Sequence, residues 1–197
     1  ADDTITCTAT ATDAEGDTGS DSASVSVDNT APEVTTVTLS PSTVYTNDTI
    51  SAAVSTSDAD GDSVTVSYAW YVDGSLVGAT ASTLSGATYF DKDEAVTVVV
   101  TPSDGTDSGD SVASDSITIL NTAPSAPGVS IDPAEPSAGV DDIICSMDSG
   151  SSDADGDTVT YTITWDVDGS PYSGATTTSE TGDTIPASAT SADEEWT

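Results

Sequence analysis

Two stretches of the chain are versions of one phrase: Ser57-Asp58-Ala59-Asp60-Gly61-Asp62-Ser63-Val64-Thr65-Val66 and Ser152-Asp153-Ala154-Asp155-Gly156-Asp157-Thr158-Val159-Thr160-Tyr161. Each leads into a tryptophan-bearing run that ends in Val-Asp-Gly-Ser, at Val72 to Ser75 and at Val167 to Ser170. The acidic stretches are offset by 95 residues (153 − 58), and so are Trp70 and Trp165 (165 − 70). A period of this size, built from strand-like pieces, predicts a tandem array of β-sandwich domains and not one enzyme fold. Arrays of this kind space, adhere and bear load.

The rest of the repeat can be followed strand by strand. Asn29-Thr30-Ala31-Pro32 recurs as Asn121-Thr122-Ala123-Pro124, an offset of 92 (121 − 29), and reads as the linker. Proline there removes a ladder donor and stiffens the joint. A first strand follows with Val37, Leu39, Pro41 in one repeat and Val129, Ile131, Pro133 in the next. The second strand holds Ile50, Ala52, Val54, matched by Ile143, Cys145, Met147, and the third holds Tyr68, Trp70, Val72, matched by Ile163, Trp165, Val167. Period-two alternation marks half-buried strands. Asp73-Gly74 and Asp168-Gly169 predict tight hairpins, because Gly supplies the positive φ they need. Later strands carry Val96, Val98, Val100 and then Ile117, Ile119; at the start of the chain Ile5, Cys7, Ala9 and Val25, Val27 stand in their places. The expected division is therefore residues 1–30 as the last strands of a preceding repeat, 31–122 as a complete repeat of about seven strands, and 123–197 as a repeat lacking its last strands. Ala192 to Thr197 resembles Ala1 to Thr6, so the chain reads as a window on a longer one. No segment has helical periodicity.

There are 35 acidic residues against a single base, Lys92, with no histidine and a net charge of −34. Such a field repels nucleic acid and anionic membranes, attracts cations and keeps the chain soluble. High charge with many Ser, Thr and Asp is also the mark of disorder, but the alternating Val/Ile/Thr runs and the repeated Trp point to a folded chain. No apolar run reaches the roughly 20 residues of a membrane span. Catalysis by a nucleophile–histidine pair is excluded by composition, and no phosphate loop is present. The reading is of a non-enzyme.

Asp58, Asp60, Asp62 and Asp153, Asp155, Asp157 place carboxylates at every second position around a Gly. That spacing can turn several oxygens toward a hard cation such as calcium. Asp13, Glu15, Asp17 and Asp104, Asp107, Asp110 form further acidic turns, read as lying at the opposite end of the sandwich, and Asp91, Asp93, Glu94 form another. The alternative is a set of solvated turns in which Asp caps its own backbone. Trp70, Trp165 and Trp196 fall on apolar phases and read as core; Tyr71 falls on the opposite phase.

Asn-Thr-Ala-Pro, then Ser-Asp-Ala-Asp-Gly-Asp, then the Trp strand with Asp-Gly, resembles the PKD-type and related immunoglobulin-like repeats of large prokaryotic extracellular proteins. Val-Asp-Gly stands where a PKD repeat has Phe-Gly-Asp-Gly. Cadherin-like repeats are the second resemblance, through Asp28-Asn29-Thr30-Ala31-Pro32 and Asp58-Ala59-Asp60. The resemblance implies tandem immunoglobulin-like sandwiches in a surface stalk, sheath, adhesin or filament, with neighbouring repeats or other copies of the chain as partners. The runner-up is an adhesive or carbohydrate-binding module of a secreted protein. In an immunoglobulin-like sandwich the strands of Cys7 and Cys145 face each other across the core. Disulfides would then run from Cys7 to a residue before this stretch and from Cys145 to a cysteine after Thr197, in an oxidising, extracellular setting. Two alternatives stay open. One is a pair of free buried thiols; the other is a bridge from Cys145 to Cys7 of a neighbouring molecule that donates residues 1–30.

Overall fold

Alternating Val, Ile, Thr and Ala residues build strands throughout the computed structural model, which describes residues 3–177 and 183–197. In chain order these are β1 (Thr4–Thr12), β2 (Thr18–Ser26), β3 (Glu33–Ser40), β4 (Thr49–Ser57), β5 (Thr65–Val72), β6 (Ser75–Leu76), β7 (Thr83–Ser85), β8 (Ala95–Ser103), β9 (Val112–Ala113) and β10 (Ile117–Thr118). They continue with β11 (Gly128–Asp132), β12 (Ile143–Ser149), β13 (Ile163–Val167), β14 (Ser170–Thr177) and β15 (Asp183–Ile185). One helical turn, α1 (Gly86–Tyr89), precedes β8, and a 3-10 turn, Ala187–Ala189, follows β15. The protein is all-β. Among the described residues no helix is long and apolar enough to cross a membrane. The chain divides into two compact units, residues 1–121 and 122–197.

In the first unit, β1 and β2 form a hairpin in which every residue is exposed. The rest of the unit, from Ala31 to Asn121, is a body of two antiparallel sheets, ordered β3-β4-β7 and β10-β8-β5-β6, with β9 beside β8. The sheets bury one core between them. Ile50 and Leu84 come from the first sheet, and Trp70, Val72, Val96, Val98 and Val100 from the second. Val44, Phe90 and Ile119 complete it. Along β8 the buried residues alternate strictly, which is the two-residue pleat facing the core on one side. Trp70 is fully buried, and its indole N–H donates to the Ala81 carbonyl at 2.8 Å, which removes the cost of an unpaired donor.

The second unit has sheets β11-β12-β15 and β13-β14. Its core is Ile143, Trp165 and Ile185, with Cys145, Ile163, Tyr172, Ala189 and Trp196 packed against it. Trp196 meets Trp165 edge-on at 6.4 Å between centroids and Tyr172 at 5.0 Å. It also bridges to Val167, as Val96 does to Val72. Trp196 therefore occupies the position that Val96 holds in the middle body.

Both Asp-Gly hairpins form. Asp73 and Gly74 have φ of 48° and 74°, and Asp168 and Gly169 have 48° and 71°. Positive φ at both central residues is the twist that joins two antiparallel strands through a two-residue loop. Val72 accordingly pairs with Ser75, and Val167 with Ser170.

Candidate metal centres and linker clamps

Each acidic loop is wound around its first aspartate. Asp58 Oδ1 accepts from the amides of Asp60 (2.9 Å) and Asp62 (3.1 Å), and Asp153 Oδ1 accepts from Asp155 (2.9 Å) and Asp157 (3.1 Å). The glycine between takes φ of 80° at Gly61 and 76° at Gly156. The other acidic turns use the same device. Asp13 Oδ1 accepts from Glu15 and Asp17, and Asp104 Oδ1 accepts from Thr106 and Asp107. Short polar side chains that bond the backbone two to four residues on stabilise such turns by themselves.

The middle aspartate does something else. Asp60 Oδ2 accepts from the Thr30 amide at 2.7 Å, and Asp155 Oδ2 accepts from the Thr122 amide at 2.6 Å. Each loop thus holds the Asn-Thr-Ala-Pro linker at the start of its own body. A charged acceptor roughly doubles the strength of such a bond. In the first unit the preceding residue is held as well. The Asn29 side-chain amide donates to Asp104 and to Asp107, both at 2.9 Å. That amide, with the Asp107 and Thr106 backbone amides, holds the Asp104 carboxyl below its ordinary range.

This convergence corrects one sequence expectation. Asp104 and Asp107 do not lie at the end opposite Asp58, Asp60 and Asp62. Thr65 pairs with Ser103, so the loops before β5 and after β8 share one end and grip consecutive linker residues. Asp91, Asp93 and Glu94 do lie at the other end, where Val72 pairs with Val96. There Asp93 donates its amide to the Ile119 carbonyl, and Glu94 accepts from Ile119. The linker's share in the site was missed in the sequence; the signal was the recurrence of Asn29-Thr30 and Asn121-Thr122 before equivalent loops.

In each triad, Asp58/Asp60/Asp62 and Asp153/Asp155/Asp157, one carboxylate oxygen per residue lies within 4.8 Å of the others. Three like charges so close repel by between about 1 and 4 kcal/mol per pair, depending on solvent access. Among the described residues, Asp58 Oδ2 is buried with no hydrogen-bond partner. An all-oxygen donor set with an orphaned carboxylate oxygen fits a hard cation such as calcium. Asp58, Asp60 and Asp62 would hold it, and it would neutralise the loop that grips the linker.

Cys7 and Cys145 are free thiols, the first exposed on the hairpin and the second half-buried on β12. Burial pushes the Cys145 thiol up, and Asp183 and Asp148 add to the shift. The Trp165 indole N–H, unlike that of Trp70, has no partner among the described residues. No protein-family model matches this sequence, and no curated protein matches it either.

Proposed function

We propose that the chain is a structural segment of a long extracellular protein of tandem immunoglobulin-like repeats, similar to PKD-type repeats, forming a stalk, sheath or filament stiffened by calcium. One observation carries this reading: the path of the chain through the middle body. The chain enters beside the loops at Thr65 and Ser103, where Asp60 holds Thr30. It leaves beyond Ile117, which pairs with Val96 at the far end of β5 and β8. Entry and exit at opposite ends of the long strands let repeats follow one another in line. An eight-residue strand such as β5 contributes roughly 25 Å of advance per repeat. The linker clamp recurs in both units, which is what a repeated spacer needs and a catalytic site does not.

Electron microscopy of native material tests the structural role. Filaments or stalks with an axial repeat of one or two bodies are expected; isolated globular particles would count against it. Calcium is tested separately by thermal melts with calcium and with chelator. At calcium about 100-fold above the dissociation constant each site contributes about 2.7 kcal/mol, which raises Tm by several degrees. Asp58→Asn should remove the first unit's share. Identical melts in calcium and chelator end the calcium part while leaving the structural role standing.

A further inference from the structure

The chain has three asparagines, and two of them are occupied. The Asn29 side-chain amide donates to Asp104 and Asp107, and the Asn121 side-chain oxygen accepts from Lys92. Asn47 is exposed, and among the described residues its side chain makes no hydrogen bond. It is also the one asparagine with a hydroxyl residue two places on. Asn47-Asp48-Thr49 is an N-glycosylation acceptor sequence, whereas Ala31 and Ala123 stand at that place after Asn29 and Asn121. A three-residue match often arises by chance, so the turn that carries it has to supply the argument.

Asn47 is the third residue of a turn from Tyr45 to Asp48, closed by the Asp48 amide on the Tyr45 carbonyl at 3.1 Å. Asp48 Oδ2 clasps the turn by accepting from the Tyr45 amide at 2.9 Å. Asn47 has a φ of 73°, a conformation that glycine takes most readily and asparagine next. The second unit builds the same turn from Ser137 to Val140. There the Val140 amide meets the Ser137 carbonyl at 3.0 Å, Asp141 Oδ2 accepts from the Ser137 amide at 2.9 Å, and Gly139 has a φ of 69°. Equal backbones with unequal side chains separate what the turn needs from what it does not. The clasping aspartate is common to both. Tyr45, Asn47 and Thr49 are replaced together, by Ser137, Gly139 and Asp142. Asparagine in a turn ordinarily bonds nearby backbone through its side chain, and Asn47 does not. Asn47 and Thr49 are exposed, and Tyr45 is 42% exposed, which leaves much of its ring open to a ligand.

We propose that Asn47 carries an N-linked oligosaccharide whose first sugar packs on the Tyr45 ring. This rests on the extracellular reading above, because such glycans belong to the surface loops of secreted proteins. The donor is a lipid-linked oligosaccharide diphosphate. Asn47 Nδ2 forms a bond to the anomeric carbon of the first sugar. The bond from that carbon to the diphosphate oxygen breaks, the diphosphate leaves with the electron pair, and the amide gives one proton to a base on the transferase. Thr49 supplies the hydroxyl by which the transferase recognises the acceptor. A sugar ring presents a face of C–H groups, and the negative face of an aromatic ring is a surface on which it packs. The site stands before β4, and Asp58 stands after it, so the glycan leaves the linker clamp open.

Mass spectrometry of peptides spanning Asn47, from protein isolated from its source cells, tests the proposal. The expected result is a peptide heavier by an oligosaccharide whose fragments locate it on Asn47. Thr49→Ala, made in the same cells, alters an exposed hydroxyl and should abolish the modification, while Thr49→Ser should keep it. Removal of the glycan should lower Tm by a few degrees, and Tyr45→Ser, which copies the second unit, should shrink that loss. Bare Asn47 in the native protein, sugar that persists on Asn47 in Thr49→Ala, or sugar confined to Ser and Thr overturns the proposal. An undiminished loss of Tm in Tyr45→Ser overturns the packing on the ring. Filaments or stalks in the same native material with bare Asn47 would overturn the glycan and leave the structural role standing.

Discussion

Asp104 shows how one side chain ties the approach of the chain to the body. Its carboxylate is held charged by the Asn29 amide first, and then by the Asp107 and Thr106 backbone amides. The folded value lies below the ordinary 3.8, so the unfolded state takes up the proton first as pH falls. The stabilisation is complete above 3.8 and is lost on acidification through the lower, folded value. Tm should therefore fall as pH drops below 3.8, and Asn29→Ala, which removes the largest cause, should flatten that fall. Melts of the two proteins across this window decide it, and parallel curves would sink the assignment. Asp60 and Asp155 make the same kind of bond to Thr30 and Thr122, through the backbone instead of a side chain.

The strands were the most legible elements, because phase is a local property. Val96, Val98 and Val100 declare their buried face within five residues, and Asp73-Gly74 declares its hairpin within two. Which loops share an end was not legible, since it depends on Thr65 finding Ser103 at a sequence separation of 38 (103 − 65). For the same reason the short strands β7 and β9 escaped sequence analysis: two or three residues carry no period, and their pairing partners define them. The linker-to-loop contact is also tertiary. It brings Gly109 against Pro32, where an added Cβ would overlap the Pro32 carbonyl oxygen and come within 3.1 Å of Pro102 Cγ. Gly109→Ala should destabilise the first unit by about 1–3 kcal/mol, as other overpacking changes do. A lowered urea midpoint at unchanged slope would show it; an unchanged midpoint would mean that the loop shifts freely.

At the scale of the molecule the two units differ in how much they bury. Among the described residues the first unit's core joins ten buried side chains and the second's joins three. Each large apolar side chain withdrawn from water contributes about 1.5–3 kcal/mol, so the second unit should unfold first. Urea titration of a Trp70→Phe variant, whose emission comes from Trp165 and Trp196, should show an earlier midpoint than a variant that retains only Trp70. Coincident midpoints would show one cooperative block. The ties at the two ends of the middle body have a mechanical consequence. Thr30 is tied to Asp60 by a hydrogen bond of 2.7 Å, and Leu120 is tied in a parallel bridge to Tyr45 that includes a 2.8 Å bond to the Val44 carbonyl. Both stand outside the zipped ladders of β3, β5 and β8. Under tension drawn along the backbone these ties, with the Asn29 bonds to Asp104 and Asp107, should open before any strand unzips, and force spectroscopy should show a short extension ahead of unfolding.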